Sequence, residues 1–144
     1  MKTENETIHG KRILLVDDER VLRETIRRLL AMDKHIVVEA NNGAEALGLF
    51  KRQSFHLVMT DYEMPFVKGN ELASRIRSIA PEQPILMMTG YGHAASHDNP
   101  VDAVISKPLN VSNGSTMPCV RPSAAVKSRR VCVPPGSTAQ VVRR

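Results

Sequence analysis

Five short apolar runs, separated by stretches of helical periodicity, constrain the fold of this 144-residue chain. Each run is rich in Ile, Leu, Val or Met and shows no alternation between apolar and polar residues. Continuous apolar runs of this length are typical of strands buried on both faces, as in a parallel sheet. The runs lie at Arg12 to Val16, Ile36 to Val38, Leu57 to Asp61, Ile85 to Thr89 and Val101 to Ser106.

Three amphipathic segments lie between the first four runs, with apolar residues at the three- and four-residue spacing of a helix. Their apolar positions are Leu22, Ile26, Leu29 and Leu30, then Ala46, Leu47 and Phe50, then Leu72, Ile76 and Ile79. Strands that alternate with helices predict an α/β fold, a doubly wound five-stranded parallel sheet with helices on both faces.

Composition is that of an ordinary globular chain of one domain, with 42% apolar and 24% charged residues. No apolar run is long enough for a membrane span, and the polar first ten residues lack a signal-peptide core. We therefore expect a cytoplasmic protein. Cys119 and Cys132 form neither a closely spaced metal pair nor a disulfide framework, which favours reduced thiols.

The net charge of +5 is concentrated in the last quarter of the chain. Beyond Leu109 there are six basic residues and no acidic one, whereas the chain up to that residue has fourteen basic and fifteen acidic residues. A basic tail indicates either a solvated segment or a contact with nucleic acid. Because the body has no basic stripe, specific DNA binding is not expected. The alternative is a nucleic-acid-binding regulator that acts through its tail, with the body as a scaffold.

Polar residues mark the ends of four of the five predicted strands. Asp17 and Asp18 follow the first, Asp61 and Thr89 end the third and fourth, and Lys107 follows the fifth. Any one of them could be a helix cap, a turn residue or a solvated side chain. The carboxyl ends of parallel strands, however, meet at one edge of the sheet, where α/β proteins bind ligands. Together these residues predict a site.

The chemistry that suits this set is phosphoryl transfer. Clustered carboxylates repel one another and need a divalent cation, and oxygen ligands of this kind suit Mg²⁺. Beside the cation, Asp61 can act as a carboxylate nucleophile towards phosphorus. Thr89 and Lys107 would hold phosphoryl oxygens. The predicted product is an acyl phosphate on Asp61.

Four motifs around these residues resemble the receiver domain of bacterial two-component response regulators, over about Gly10 to Leu109. They are Leu14-Leu15-Val16-Asp17-Asp18-Glu19, Thr60-Asp61-Tyr62-Glu63-Met64-Pro65 with Gly69, Met88-Thr89-Gly90-Tyr91, and Ser106-Lys107-Pro108. The resemblance implies a flavodoxin-like domain. It also implies that a sensor histidine kinase or a histidine phosphotransfer protein donates the phosphoryl group.

The resemblance also implies a role for each residue of the site. Asp61 is the phosphoacceptor, Asp18 binds Mg²⁺ directly, Asp17 binds it through water, and the backbone carbonyl of Glu63 completes the metal shell. Such a protein is a signalling phosphoacceptor with limited self-phosphorylation and autodephosphorylation rather than a metabolic enzyme. An aspartyl phosphatase usually has a second Asp two residues after the nucleophile, where this chain has Glu63.

Two features depart from the receiver pattern within the body. Val104 stands where the family usually has Tyr or Phe three residues before the lysine, so we expect a weak conformational switch. The segment from Gly90 to Pro100 is short and ends in proline, which predicts a stunted fourth helix. His93 and His97 have helical spacing but no supporting carboxylates, and we do not expect them to bind metal.

The tail, Asn110 to Arg144, departs further because its prolines exclude a long fifth helix. Its composition indicates a Pro/Ser/Arg-rich irregular tail, as a linker, a disordered segment or cloning-derived residues. Without the fourth and fifth helices, the fourth and fifth strands should leave apolar surface exposed. Such surface favours association, so we predict a homodimer or an exchange of segments through the fourth- and fifth-strand face. The alternative is that the tail folds back over that face as irregular chain.

Overall fold

The computed structural model of the chain describes residues 10–90, 100–106, 119–120, 131–132 and 139–141. Its eight strands are β1 (Arg12–Val16), β2 (Ile36–Ala40), β3 (Leu57–Asp61), β4 (Ile85–Thr89), β5 (Ala103–Ser106), β6 (Cys119–Val120), β7 (Val131–Cys132) and β8 (Ala139–Val141). Its three helices are α1 (Arg20–Met32), α2 (Gly43–Arg52) and α3 (Gly69–Ile79).

The main sheet has the strand order β2-β1-β3-β4-β5-β8. Its first five strands are parallel to one another, and β8 pairs antiparallel with β5. This architecture confirms the predicted doubly wound α/β sheet and adds a sixth strand to it. Because the five strands run the same way, their carboxyl ends lie at one edge, with Val16 opposite Thr60 and Asp61 opposite Met88.

Two hydrophobic clusters cover the two faces of the sheet. Alternate residues of a strand face opposite sides, so Leu15, Met59 and Met88 pack in one cluster with Ile26 of α1. Leu14, Val58 and Met87 pack in the other cluster with residues of α2 and α3, among them Phe50, Leu72 and Ile76. All five residues of β3 are buried, as expected for a strand covered on both faces.

The prediction that β4 and β5 leave apolar surface exposed was wrong. Ile85, Leu86 and Ile105 have no exposed surface, and Val104 is 6% exposed. The reason is that the two clusters extend to these strands, since Leu86 and Ile105 join the α1 side and Ile85 and Val104 the α2–α3 side. The predicted homodimer was based on an exposed apolar patch on this face, and these residues do not form one.

Two strand boundaries differ from the sequence prediction. β2 continues to Ala40, and β5 begins at Ala103 rather than Val101. Asp102 lies just before β5, where its backbone N–H donates to the Ile85 carbonyl and its carboxylate accepts from the Ile85 N–H. This side-chain hydrogen bond takes the place of a regular backbone bond between β4 and β5, and the strand therefore begins after Asp102, at Ala103.

The tail is less irregular than its composition predicts, because three short strands lie in it. β6 and β7 pair antiparallel with Cys119 opposite Cys132, and β8 lies beside β5. The prolines of the tail exclude long helices, but short strands that contain Val, Cys and Ala can still form between them. The predicted stunted fourth helix falls on residues 91–99, outside the described part of the chain. The fifth helix was predicted to be missing over Asn110 to Arg144, and the described residues of that range are the strands β6, β7 and β8.

Within the described residues, every helix falls short of the length and apolar character that a membrane-crossing helix requires.

Candidate functional site

Three carboxylates from two neighbouring strands meet at the carboxyl edge of the sheet. One carboxylate oxygen from each of Asp17, Asp18 and Asp61 lies within 4.8 Å of the other two. Asp17 and Asp18 follow β1, and Asp61 ends β3, which is its hydrogen-bonded neighbour in the sheet. Asp17 and Asp61 are buried whereas Asp18 is exposed, so the cluster is open to solvent on the Asp18 side.

This donor set fits a divalent cation. Three ionised carboxylates at this separation repel one another, and a hard cation with oxygen ligands relieves that repulsion. Mg²⁺ is held in proteins by a few carboxylates and keeps several waters. The open Asp18 side leaves room for such waters. The structure therefore brings together the three aspartates that the sequence predicted, in an arrangement suited to Mg²⁺.

The turn after β1 is fixed by three hydrogen bonds to Asp17. Its backbone N–H donates to the Ala40 carbonyl at 3.2 Å, and its Oδ1 accepts from the Glu19 N–H at 2.9 Å. Its carbonyl accepts from Nη1 of Arg23 at 2.7 Å. Arg23 was not among the site residues predicted from the sequence. A signal was present, since Arg23 has the spacing of the buried residues Ile26 and Leu30, where a charged side chain needs a partner.

The loop after β3 is closed tightly against the end of β3. The Tyr62 N–H donates to the Met88 carbonyl at 2.8 Å, and the Gly69 N–H donates to the Tyr62 carbonyl at 3.0 Å. A Cβ atom at Gly69 would overlap the carbonyl oxygen of Asp61 and lie 2.9 Å from Cα of Tyr62. This close approach explains the glycine at the end of the motif, and it ties the loop to both β3 and β4.

Glu63 lies in the same loop and is exposed. Its Oε2 is 4.0 Å from Nζ of Lys68, and its carboxylate is not a member of the three-aspartate cluster. This placement is compatible with the expectation that Glu63 contributes its backbone carbonyl rather than its side chain.

The same loop contains a residue in the left-handed region. Phe66 has a φ of 70° and is 97% exposed. The Val67 N–H donates to the Pro65 carbonyl at 2.9 Å, which makes Phe66 the centre of a three-residue turn. Phenylalanine rarely adopts this conformation, and nothing in the sequence pattern pointed to it.

Thr89 ends β4 and is 4% exposed. It lies opposite Ser106 of β5, while Met88 lies opposite Asp61, so Thr89 reaches the edge of the sheet where the aspartates cluster. Lys107 follows Ser106 in the chain and lies outside the described residues, as do His93 and His97.

Comparison with known families agrees with this geometry. The family model of the response regulator receiver domain matches residues 13–115. The chain belongs to this family. As a receiver domain it is part of a two-component response regulator, a signalling protein.

Curated relatives include short and long response regulators. The receiver protein CpdR of Brucella abortus is 36% identical over 105 residues, which cover 70% of this chain and 88% of CpdR. FleR of Pseudomonas aeruginosa is 38% identical over 81 residues, which cover 56% of this chain but 17% of FleR. The receiver thus spans nearly all of one relative and a small part of another.

Solved structures of response regulators share the fold. TrrA of Thermotoga maritima, in complex with Mg²⁺-BeF, is 36% identical with a TM-score of 0.66 and covers 69% of this chain and 89% of its own. TrrA in complex with the histidine kinase ThkA matches with a TM-score of 0.65, at 36% identity, and covers 69% of this chain and 88% of that one.

Proposed function

We propose that this receiver accepts a phosphoryl group on Asp61 from the phosphohistidine of a partner kinase or phosphotransfer protein, with Mg²⁺ as the cofactor. The observation that carries the proposal is the convergence of the Asp17, Asp18 and Asp61 oxygens within 4.8 Å at the carboxyl edge of the sheet. The related TrrA structures, one with Mg²⁺-BeF and one with a histidine kinase, support the choice of cation and of partner.

In the proposed reaction, a carboxylate oxygen of Asp61 attacks phosphorus as the phosphorus–nitrogen bond to the donor imidazole breaks. The electron pair of that bond stays with the imidazole, which takes up a proton. The product is an acyl phosphate, and water later releases it as inorganic phosphate and restores the carboxylate. This slow release is the limited catalysis that we ascribe to the receiver.

Each residue of the site has a distinct part. Asp17, Asp18 and Asp61 would hold Mg²⁺ with the backbone carbonyl of Glu63, and the bound ion neutralises charge between the carboxylates and the phosphoryl oxygens. Thr89 and Lys107 would donate to those oxygens. Burial of Asp61 and Thr89, at 5% and 4% exposure, strengthens such interactions because water screens them little.

Intact mass after incubation with acetyl phosphate tests the proposal. The wild type should gain a single labile phosphate that requires Mg²⁺ and is lost at alkaline pH, because acyl phosphates hydrolyse readily. Asp61→Asn should gain none. Asp33→Asn is the matched control, since Asp33 lies at the far end of α1 and should leave phosphorylation unchanged. An equal gain in Asp61→Asn would contradict the assignment.

The metal assignments are tested separately by Mg²⁺ titration, followed by NMR because the chain has no Trp. Asp18→Ala should weaken Mg²⁺ binding strongly, since it removes a ligand. Glu63→Ala should change it little, since the backbone carbonyl remains. Equal losses in the two variants would show that the Glu63 side chain also binds the metal.

A further inference from the structure

The arginine next to the acidic cluster, Arg23 in α1, contacts two segments of the chain outside its own helix. Arg23 donates from Nη1 to the Asp17 carbonyl at 2.7 Å and to Oδ1 of Asn41 at 3.4 Å. Its Nε donates to Oε1 of Glu39, in β2, at 3.1 Å. Its side chain is 15% exposed. It therefore links α1, the turn after β1 and the end of β2.

The Asp17 carbonyl belongs to the peptide bond that joins Asp17 to Asp18. A hydrogen bond to this oxygen fixes the plane of that peptide, because the peptide unit is rigid. The Asp17 N–H is already fixed by the Ala40 carbonyl and its carboxylate by the Glu19 N–H. Arg23 adds a constraint on the Asp17 carbonyl, and this constraint acts on the peptide bond that places the exposed Asp18 relative to Asp61.

The charge of Arg23 alone would act against metal binding. A guanidinium near a divalent cation repels it. In the structure Glu39 is paired with this guanidinium, and it pairs through its other oxygen with Nε of Arg27 at 3.3 Å. The favourable contribution of Arg23 to a cation site is then geometric, whereas its electrostatic contribution has the opposite sign.

We propose that Arg23 is a positioning residue for the Mg²⁺ site, which orients the Asp17–Asp18 peptide through the Asp17 carbonyl. This inference rests on the proposed function, since it presupposes that the acidic cluster binds Mg²⁺. Residues that orient metal ligands commonly change metal affinity by about 10–100-fold when they are replaced.

The test is a Mg²⁺ titration of the full chain, followed by amide chemical shifts, with the dissociation constant as the readout. Arg23→Gln should weaken Mg²⁺ binding by about tenfold. Arg27→Gln is the matched control. It also removes one positive charge from α1 and one ion pair with Glu39, but it leaves the hydrogen bond to the Asp17 carbonyl in place. It should leave Mg²⁺ affinity unchanged or slightly tighter.

The sign of the effect separates positioning from charge. If Arg23 acted only through its charge, Arg23→Gln would bind Mg²⁺ more tightly than the wild type, and the difference would shrink at high salt. The positioning effect should weaken binding and persist at high salt. Binding by Arg23→Gln that equals or exceeds that of the wild type would overturn the inference.

Arg23→Lys keeps the charge and serves if Arg23→Gln does not fold. A lysine can donate to the Asp17 carbonyl but cannot also hold Glu39 with the planar geometry of a guanidinium. It should therefore weaken Mg²⁺ binding by less than the roughly tenfold expected of Arg23→Gln, since the bond to the Asp17 carbonyl is kept, and a loss of tenfold or more would count against the inference. Failure of the wild type to bind Mg²⁺ would instead contradict the proposed function, so the two outcomes are distinguishable.

Discussion

Phe66 has a positive φ and a side chain that is almost fully exposed. The unfavourable backbone conformation is therefore not offset by packing of the side chain. The left-handed conformation costs a non-glycine residue about 1–2 kcal/mol. Glycine avoids that cost, although it loses more chain entropy on folding.

Phe66→Gly should therefore stabilise the protein, by about 0.5–1 kcal/mol in the free energy of unfolding. Urea denaturation measures this as a higher midpoint with an unchanged slope. Lys34, the other described non-glycine residue with a positive φ, at 60°, should respond to Lys34→Gly in the same direction. Ser54→Gly is the control, because Ser54 is exposed in a loop without a positive φ, and it should destabilise slightly. Destabilisation by Phe66→Gly would mean that the turn is not strained.

Among the elements, α3 is tied to the start of β4 and to the chain before β5 by one buried ion pair. Arg77 donates from Nη2 to Oδ2 of Asp102 at 2.7 Å, from Nη1 to the Pro81 carbonyl and from Nε to the Pro100 carbonyl. The two side chains are 12% and 5% exposed. The same Asp102 oxygen accepts from the Ile85 N–H at 2.8 Å. The Asp102 carboxylate thus joins three segments of the chain, which are α3, the start of β4 and the residues before β5.

Asp102→Ala should destabilise the receiver by about 3–5 kcal/mol, because it leaves the buried Arg77 charge without its partner. Glu71→Ala is the matched control, since it breaks another pair on α3, that of Arg75 with Glu71. That pair is about half exposed on both sides, and its loss should cost less than about 1 kcal/mol. Chemical denaturation of both variants makes the comparison, and equal losses would show that the buried pair is no stronger than the exposed one.

The elements of the sheet were predictable because their signals are local. Apolar runs such as Leu57 to Asp61 indicate buried strands. Parallel strands have their carboxyl ends at one edge of the sheet, so the topology alone predicted that Asp17, Asp18 and Asp61 lie close together. The contacts of Arg23 and Gly69 could not be predicted in the same way. Each depends on the exact approach of two segments, Arg23 to the Asp17 carbonyl and Gly69 to the Asp61 carbonyl.

The tail strands and the buried β4 and β5 faces escaped prediction for a related reason. We inferred exposed faces from missing helices, but burial there depends on how far the clusters of α1, α2 and α3 reach across the sheet. Segments as short as Ala139–Val141 have too few residues for a periodicity of apolar residues to identify them as strands. Their strand conformation depends on pairing with a strand that is distant in the sequence.

At the scale of the whole molecule, the charge is divided between a nearly neutral body and a basic tail. This division makes nucleic-acid binding through the tail the alternative function to test. We expect weak, sequence-independent binding to duplex DNA that falls with salt. The slope of log affinity against log salt should be no steeper than about −5, since the tail has six basic residues.

Fluorescence anisotropy with labelled duplexes measures this binding at several salt concentrations. A variant with Gln at Arg129, Arg130, Arg143 and Arg144 keeps the length of the tail and should lose most of the binding. A tight complex with one defined DNA sequence at physiological salt, abolished in this variant, would favour the nucleic-acid regulator over the kinase-dependent receiver as the main function.

The pairing of β8 with β5 has a consequence for the order in which the molecule is made. The five parallel strands are complete once Ser106 is synthesised, but the partner of the β5 edge begins only at Ala139. At ribosomal speeds of roughly 5–20 residues per second, the interval is on the order of seconds. During that time β5 is an edge strand, and an unpaired edge is a template for pairing with other chains. Among the described strands, β8 is therefore the one whose synthesis ends the exposure of the β5 edge to neighbouring chains.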